Sequence, residues 1–349
     1  MTAIAEEAQA ECRPGVAATN ARRLGGLMVA IGVLAFVVLL SIAVGSRDIP
    51  LPTVIEALFA YDDSNDHAII QSLRLPRTVL GLLVGAALGI SGALIQALTR
   101  NPLADPGILG VNAGASFFVL IAVGYLGFTS LDAYIWFAFL GAIVTTVVVY
   151  MVGSAGRGGA TPISLTLSGV AIGAILAGVS TALTLLNPTA FDRMRHWGAG
   201  ALSGGNYDAI TTVAPFIVVG LVLAALMARP LNAVALGDDL AKALGANILR
   251  VRTIVVVAVT LLAGGATAAA GPIGFVGLMV PHVARWIVGP DQRWIFAYTI
   301  VLAPVLLLVS DVVGRIIMRP GEIQVAIVTA FVGAPVLILL ARRRKVSGI

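Results

Sequence analysis

Two arginines three residues apart, Arg74 and Arg77, flank Pro76 at the head of a long apolar run. Near the end of another apolar run stand Asp311 and Arg315, four residues apart. Arginines so placed can take carboxylates through charge-assisted bonds, or anchor a helix end by snorkelling. Asp311 and Arg315 share one face of a helix, where they either neutralise each other or present charge to a partner. His282 follows Pro281 inside an apolar stretch, where an ionisable side chain suggests a metal ligand or proton relay. No second His, Cys or acidic residue shares that stretch, which favours a hydrogen-bonded structural histidine over a metal ligand. Several chemistries are excluded. A phosphate-cradling loop needs Gly-Lys followed by Ser or Thr, and Lys242 and Lys345 are followed by Ala and Val. An enzyme inside a membrane would need a nucleophile–base or metal pair at one depth, and the apolar runs offer none. The single cysteine, Cys12, rules out an internal disulfide or cysteine cluster. It is not preceded by a lipobox-like Leu-Ala-Gly and reads as an inert tail thiol.

Two irregular segments carry more. In Leu236-Gly237-Asp238-Asp239-Leu240-Ala241-Lys242-Ala243-Leu244-Gly245-Ala246-Asn247, Asp238 or Asp239 suits an N-cap. Leu240, Ala243 and Leu244 fall on one helical face, and Gly245 suits a stop. This short amphipathic helix either docks into the groove of a soluble partner or lies on lipid. Asn101-Pro102-Leu103-Ala104-Asp105-Pro106-Gly107 sets two prolines and a glycine between apolar runs. It is either a tight turn or backbone lining a cavity, since irregular backbone at a membrane edge is tolerated only where protein or a water-filled cavity receives it.

The elements that must position these residues follow from composition. Of 349 residues, 59% are hydrophobic and 11% charged, and the mean hydropathy is +1.00. A soluble domain carries roughly 25% charged residues. With ~20 apolar residues needed per crossing, ten runs qualify: 24–46, 77–98, 107–127, 133–152, 163–186, 208–228, 251–270, 273–289, 294–313 and 323–341. Gly and Pro interrupt the second, third, seventh and eighth. The first is long for a signal-peptide core and reads as a retained helix. With both termini in the cytoplasm, fifteen of the 22 Lys and Arg residues fall inside, among them Arg22, Arg23 and Arg342–Lys345. The remaining seven fall outside, an excess that fits the positive-inside rule. It also explains the net charge of +5 without invoking nucleic acid. The layout is a cytoplasmic tail 1–23, a transmembrane domain 24–341 and a second cytoplasmic tail 342–349. Outside loops are expected at 47–76, with Asp62, Asp63 and Asp66, and at 187–207, with His196 and Trp197.

Segment 236–247 resembles the coupling-helix region of binding-protein-dependent ABC importer permeases, and is most similar to the FecCD family. Three further stretches match: Arg74-Leu75-Pro76-Arg77 with 85–92 and Gln96; Asn101 through Gly110; and Gly271 through Leu278 with Pro281, His282 and Arg285. The resemblance covers roughly residues 25–345 in family order. It implies an all-α polytopic protein of about ten helices with the type II ABC importer permease fold, in the bacterial cytoplasmic (inner) membrane. It implies two permease copies, identical or paralogous, around a central path, importing ferric siderophores, with haem or cobalamin as alternatives. An ion-gradient-driven transporter is a weaker alternative, because ionisable residues are nearly missing from the span centres. The implied partners are separate ATPase subunits, which bind ATP and contact Gly237, Asp238, Asp239, Leu240, Ala243, Leu244 and Gly245, and an extracytoplasmic binding protein. Arg74, Arg77 and Arg315 would receive glutamates of that binding protein. Asn101, Leu103 and Thr161 would form the cytoplasmic gate, although Pro162 stands where relatives carry a small hydroxyl residue. No cofactor or metal is implied for this chain, and Pro281-His282 belongs to a structural signature.

Overall fold

The computed structural model describes residues 16–17, 19–128, 130–155 and 161–342. Cys12, the first fifteen residues, Arg157 and the basic cluster from Arg343 onward lie outside the described residues. Among the described residues the chain is helical without strands. Backbone polar groups in hydrocarbon have no water to bond, so a helix that bonds within itself is the available solution.

Seven helices are long and apolar enough to cross a membrane, and three shorter apolar ones accompany them. The long ones are α1 (Asn20–Ala43), α4 (Leu75–Thr99), α6 (Leu131–Ser154), α7 (Pro162–Leu186), α9 (Tyr207–Ala235), α11 (Ile248–Ala270) and α13 (Gln292–Ile317). The short ones are α5 (Val111–Gly124), α12 (Val276–Val288) and α14 (Val325–Arg342). All ten coincide with the apolar runs read from the sequence. The 13 residues of α12 reach only ~20 Å at 1.5 Å per residue. The non-helical stretch 271–275, with Gly271, Pro272 and Gly274, precedes it and is why Gly and Pro blurred the start of that run.

Two segments expected as loops are partly helical, and a third holds the short helix its spacing suggested. Between α1 and α4 lie α2 (Leu51–Phe59) and α3 (Asn65–Ile69). A π-helical turn, Ile70–Arg74, then runs directly into α4. Pro76 stands at the second position of α4, continuous with that π-helical turn. The wider turn before it bonds Leu75 N–H to the Ile70 carbonyl, a register shift typical of π-bulges. After α7, α8 (Pro188–Trp197) occupies half of the second expected loop. Between α9 and α11 sits α10 (Asp238–Ala243).

The central helix is α4, buried over 83% of its apolar window and packed by α9, α11, α12 and α13. Small residues permit this. A Cβ on Gly92 would stand 1.9 Å from the Gly277 carbonyl oxygen of α12, so only glycine admits that backbone contact, as at other membrane helix interfaces. At the other extreme, α7 is buried over only 6% of its window. Its exposed surface mixes Ile163, Leu167, Ile175 and Leu185 with Thr181 and Gly178.

Candidate functional site

At one end of the bundle the C-terminus of α1 meets α4 and α13. The last four carbonyls of any helix lack partners within it. Here guanidinium groups supply them. Arg74 donates from Nη1 to the Ile42 and Ala43 carbonyls at 3.0 and 2.6 Å, and from Nη2 to the Arg47 carbonyl at 2.6 Å. Arg315 donates from Nη1 to the carbonyls of Ser41 and Val44, both at 2.9 Å, and from Nη2 to Ser41 Oγ. Cations at a helix C-terminus also meet the negative end of its dipole.

Asp311 joins the same cluster. Its carboxylate is wholly buried and accepts from Arg77 Nη2 at 2.7 Å and Arg77 Nε at 3.0 and 3.1 Å. It also accepts from Arg315 Nη2 at 2.6 Å, the i,i+4 pair expected from spacing. Arg77 Nη1 reaches Glu322 at 2.7 Å. Arg74, Arg77 and Arg315 thus come together, but as buried ties among α1, α4 and α13, not as free docking cations. Their donors are largely committed within the chain. Exposed charges at this end include Arg47, paired with Asp66 at 3.0 Å, and Asp48, paired with Arg319 at 2.7 Å. A cleft of about 190 Å³ opens there, lined by Arg47, Arg74, Arg77, Arg315 and Glu322 among others.

At the opposite end, α4 stops at Thr99 and Arg100 takes the left-handed conformation, φ 51°. The turn that follows is held by its own side chains. Asn101 Oδ1 accepts from Leu103 N–H at 3.0 Å, and Asp105 Oδ1 accepts from Gly107 N–H at 2.8 Å. Burial pushes the Asp105 carboxyl up from its usual range, and the Gly107 bond opposes that shift. A 3₁₀ turn, Pro106–Leu109, leads into α5. It meets α7 where Ile108 lies against Gly169. Thr161, expected beside Asn101 and Leu103, is instead engaged with Ser164 in a reciprocal cap that starts α7. Among the α7 residues that pack on the turn is Gly169, two turns further on. Its signal in the sequence was only a glycine in an apolar run.

The short helix α10 forms as spacing suggested, with a different cap. Its N-cap is Gly237, φ 110°, a conformation that favours glycine. Asp238 and Asp239 occupy the first turn, where carboxylates suit the dipole. Asp238 makes no cap bond because it pairs with Arg100 of the α4 end and, at 2.6 Å, with Arg252 of α11. Gly245, φ 84°, ends the helix as expected. Leu240, Ala243 and Leu244 are exposed, flanked by exposed Leu236 and Leu249. Sequence reasoning missed Arg100, whose only signal was its place between a helix and Asn-Pro.

Gln96 and Arg285 are buried behind the turn. Gln96 Nε2 donates to the carbonyls of Gly277 and Leu278 at 3.2 and 3.1 Å, and its Oε1 accepts from Arg285 Nη2 at 3.3 Å. His282 is buried edge-on to Trp286, ring centres 4.7 Å apart. Among the described residues no group of three His, Cys, Asp or Glu could hold a metal.

Comparison with known proteins gives this geometry a setting. Residues 33–343 match the FecCD transport family. The chain is 45% identical to the ferric enterobactin transport system permease protein FepD of Escherichia coli (strain K12), over 95% of this chain and 98% of that protein. It is 40% identical to the Fe(3+)-citrate import system permease protein YfmD of Bacillus subtilis (strain 168), over 93% and 97%. A solved structure described as an inward-facing conformation of a metal-chelate type ABC transporter aligns with a TM-score of 0.80 at 25% identity, covering 90% of this chain and 98% of that one. The chain is a multi-pass membrane permease that belongs to the FecCD transport family.

Proposed function

We propose that this chain is the membrane-spanning subunit of a binding-protein-dependent importer of ferric siderophores. The observation that carries this is the near end-to-end relationship to permeases named for ferric enterobactin and ferric citrate. A cargo delivered by a binding protein needs little affinity along its path, which suits a chain with few charges in its span centres. Haem and cobalamin remain the alternative cargoes.

The end carrying α10 faces the cytoplasm in this reading, with both termini, because the basic excess falls there. ATPase subunits dock on α10. Leu240 and Leu244 stand i,i+4 on an exposed face bounded by Leu236 and Leu249, the pattern of a helix laid into a groove. ATP is bound and hydrolysed by those subunits. Asn101 and Leu103, on a turn braced by prolines, form the cytoplasmic gate with the start of α7 at Thr161, and Gly169 lets α7 approach the turn closely. A second permease chain covers the exposed faces of α7 and α14. The binding protein docks at the arginine end. Arg74, Arg77 and Arg315 fix the shape of that surface from beneath, and Arg47, Asp48 and Arg319 present charge on it.

Replacing Leu244 by Arg tests the α10 assignment. The side chain is 63% exposed, so folding is unaffected while co-purification with the ATPase and ATP-driven uptake are lost. Gly237 is a poorer choice, since any side chain at its φ is strained. If Leu244→Arg retains its ATPase and transports normally, α10 is an interfacial helix lying on lipid.

A further inference from the structure

We infer that Arg100 is the positioning residue that carries motion of α10 to the gate turn, an inference that rests on α10 being the ATPase contact. Arg100 is the last residue before Asn101. Its left-handed backbone turns the chain out of α4, with its N–H still bonded to the Gln96 carbonyl. The side chain runs the other way, into the α9–α10–α11 corner. Nε donates to the Val234 carbonyl in the last turn of α9 at 2.9 Å. Nη2 pairs with Asp238 in the first turn of α10. Asp238 holds Arg252 of α11 with its other oxygen at 2.6 Å. One guanidinium thus grips the helix ends on both sides of Gly237.

Two routes lead from Arg100 into the membrane. Forward, the turn is stiffened by the Asn101–Leu103 and Asp105–Gly107 bonds and ends on Ile108, whose carbonyl abuts Gly169 of α7. Backward, Gln96 ties α4 to the start of α12 through the Gly277 and Leu278 carbonyls. Displacing α10 through Asp238 therefore pulls on the residue that joins both routes. A left-handed non-glycine residue is strained and persists where its surroundings hold it. Here the holding partners are the coupling element itself. Arg100 and Asp238 are about one-third exposed, so the link can exchange with water during a cycle instead of being sealed in the core.

The test is a set of variants in the complete transporter, with ATPase and binding protein, in proteoliposomes. The readouts are subunit stoichiometry, ATP hydrolysis and ferric-siderophore uptake per ATP. Arg100→Gln should assemble and hydrolyse ATP as the wild type does, while uptake per ATP falls about ten-fold, within the range of ordinary coupling between sites. Arg100→Lys keeps the charge but loses the Val234 bond, and should recover part of the loss. It also serves if Arg100→Gln does not assemble. In a cycle with Asp238→Asn, the double variant should lose no more than the worse single variant, because both act through one link. Uptake per ATP unchanged in the Arg100 variants, or losses that multiply in the double variant, would overturn the inference. Failure of the wild-type chain to bind any ATPase would instead overturn the reading of α10.

Discussion

Replacing Asp311 by Asn keeps the side-chain shape and removes the one carboxylate that two buried arginines share. Asp311 has no exposure, and the Arg77 and Arg315 side chains are 11% and 2% exposed. Removing one partner of a buried pair costs about 3–5 kcal/mol, because the stranded charge has lost its water and gains nothing in return. Two features set the expectation at the lower end. Arg77 keeps Glu322, and Arg315 keeps its bonds to Ser41 and Val44. About 3 kcal/mol is a large part of a native stability of ~5–15 kcal/mol. At ~2–4 °C per kcal/mol for large domains, the apparent Tm in detergent should fall by about 6–12 °C. Glu322→Gln is the control. Its carboxylate is 29% exposed, so its loss should cost about 1 kcal/mol or less. A wild-type Tm for Asp311→Asn, or an equal loss in Glu322→Gln, would refute the view that this cluster holds α1, α4 and α13 together through a desolvated carboxylate.

Asp105→Asn should preserve the cap on Gly107 N–H while removing a carboxylate that burial disfavours. With its folded value raised, the wild-type carboxyl contributes stability below its unfolded value near 3.8 and loses it as pH rises through the folded value. Thermal melts over a pH series should show the wild type gaining on Asp105→Asn as pH falls, and Asp105→Asn at least as stable at pH 7. Cysteines at 101 or 103, with Cys12 removed and, in a heterodimer, a matching cysteine at the partner's equivalent position, should crosslink between permease chains in one nucleotide state and much less in another. Crosslinking absent in every state, or indifferent to ATP, would reject the gate.

The ten apolar helices were legible because hydrophobic runs report directly on the solvent around them. What the search for twenty-residue runs missed were elements too short to span. Leu51–Phe59 is helical and partly buried on Val54 and Ala57, yet nine residues inside a charged loop give little periodicity. The arginine cluster was legible in its members and illegible in its role. Spacing exposed the Asp311–Arg315 pair, but the partners of Arg74 are backbone carbonyls 27 to 32 residues away, and carbonyls carry no signature in sequence. The cap of α10 was misassigned for a similar reason. Asp238 is a good N-cap residue by type, and two distant arginines, Arg100 and Arg252, claim its carboxylate. Thr161 was placed at the gate by resemblance, and its role in capping α7 through Ser164 was legible only as a Thr three residues before a Ser.

The central claim is tested most directly by uptake of iron-labelled siderophore into proteoliposomes that hold this chain with its ATPase, supplied with binding protein outside and ATP inside. Uptake should require all three components and ATP hydrolysis, and this chain purified alone should hydrolyse no ATP. Uptake that proceeds without the ATPase and follows an imposed ion gradient would contradict it.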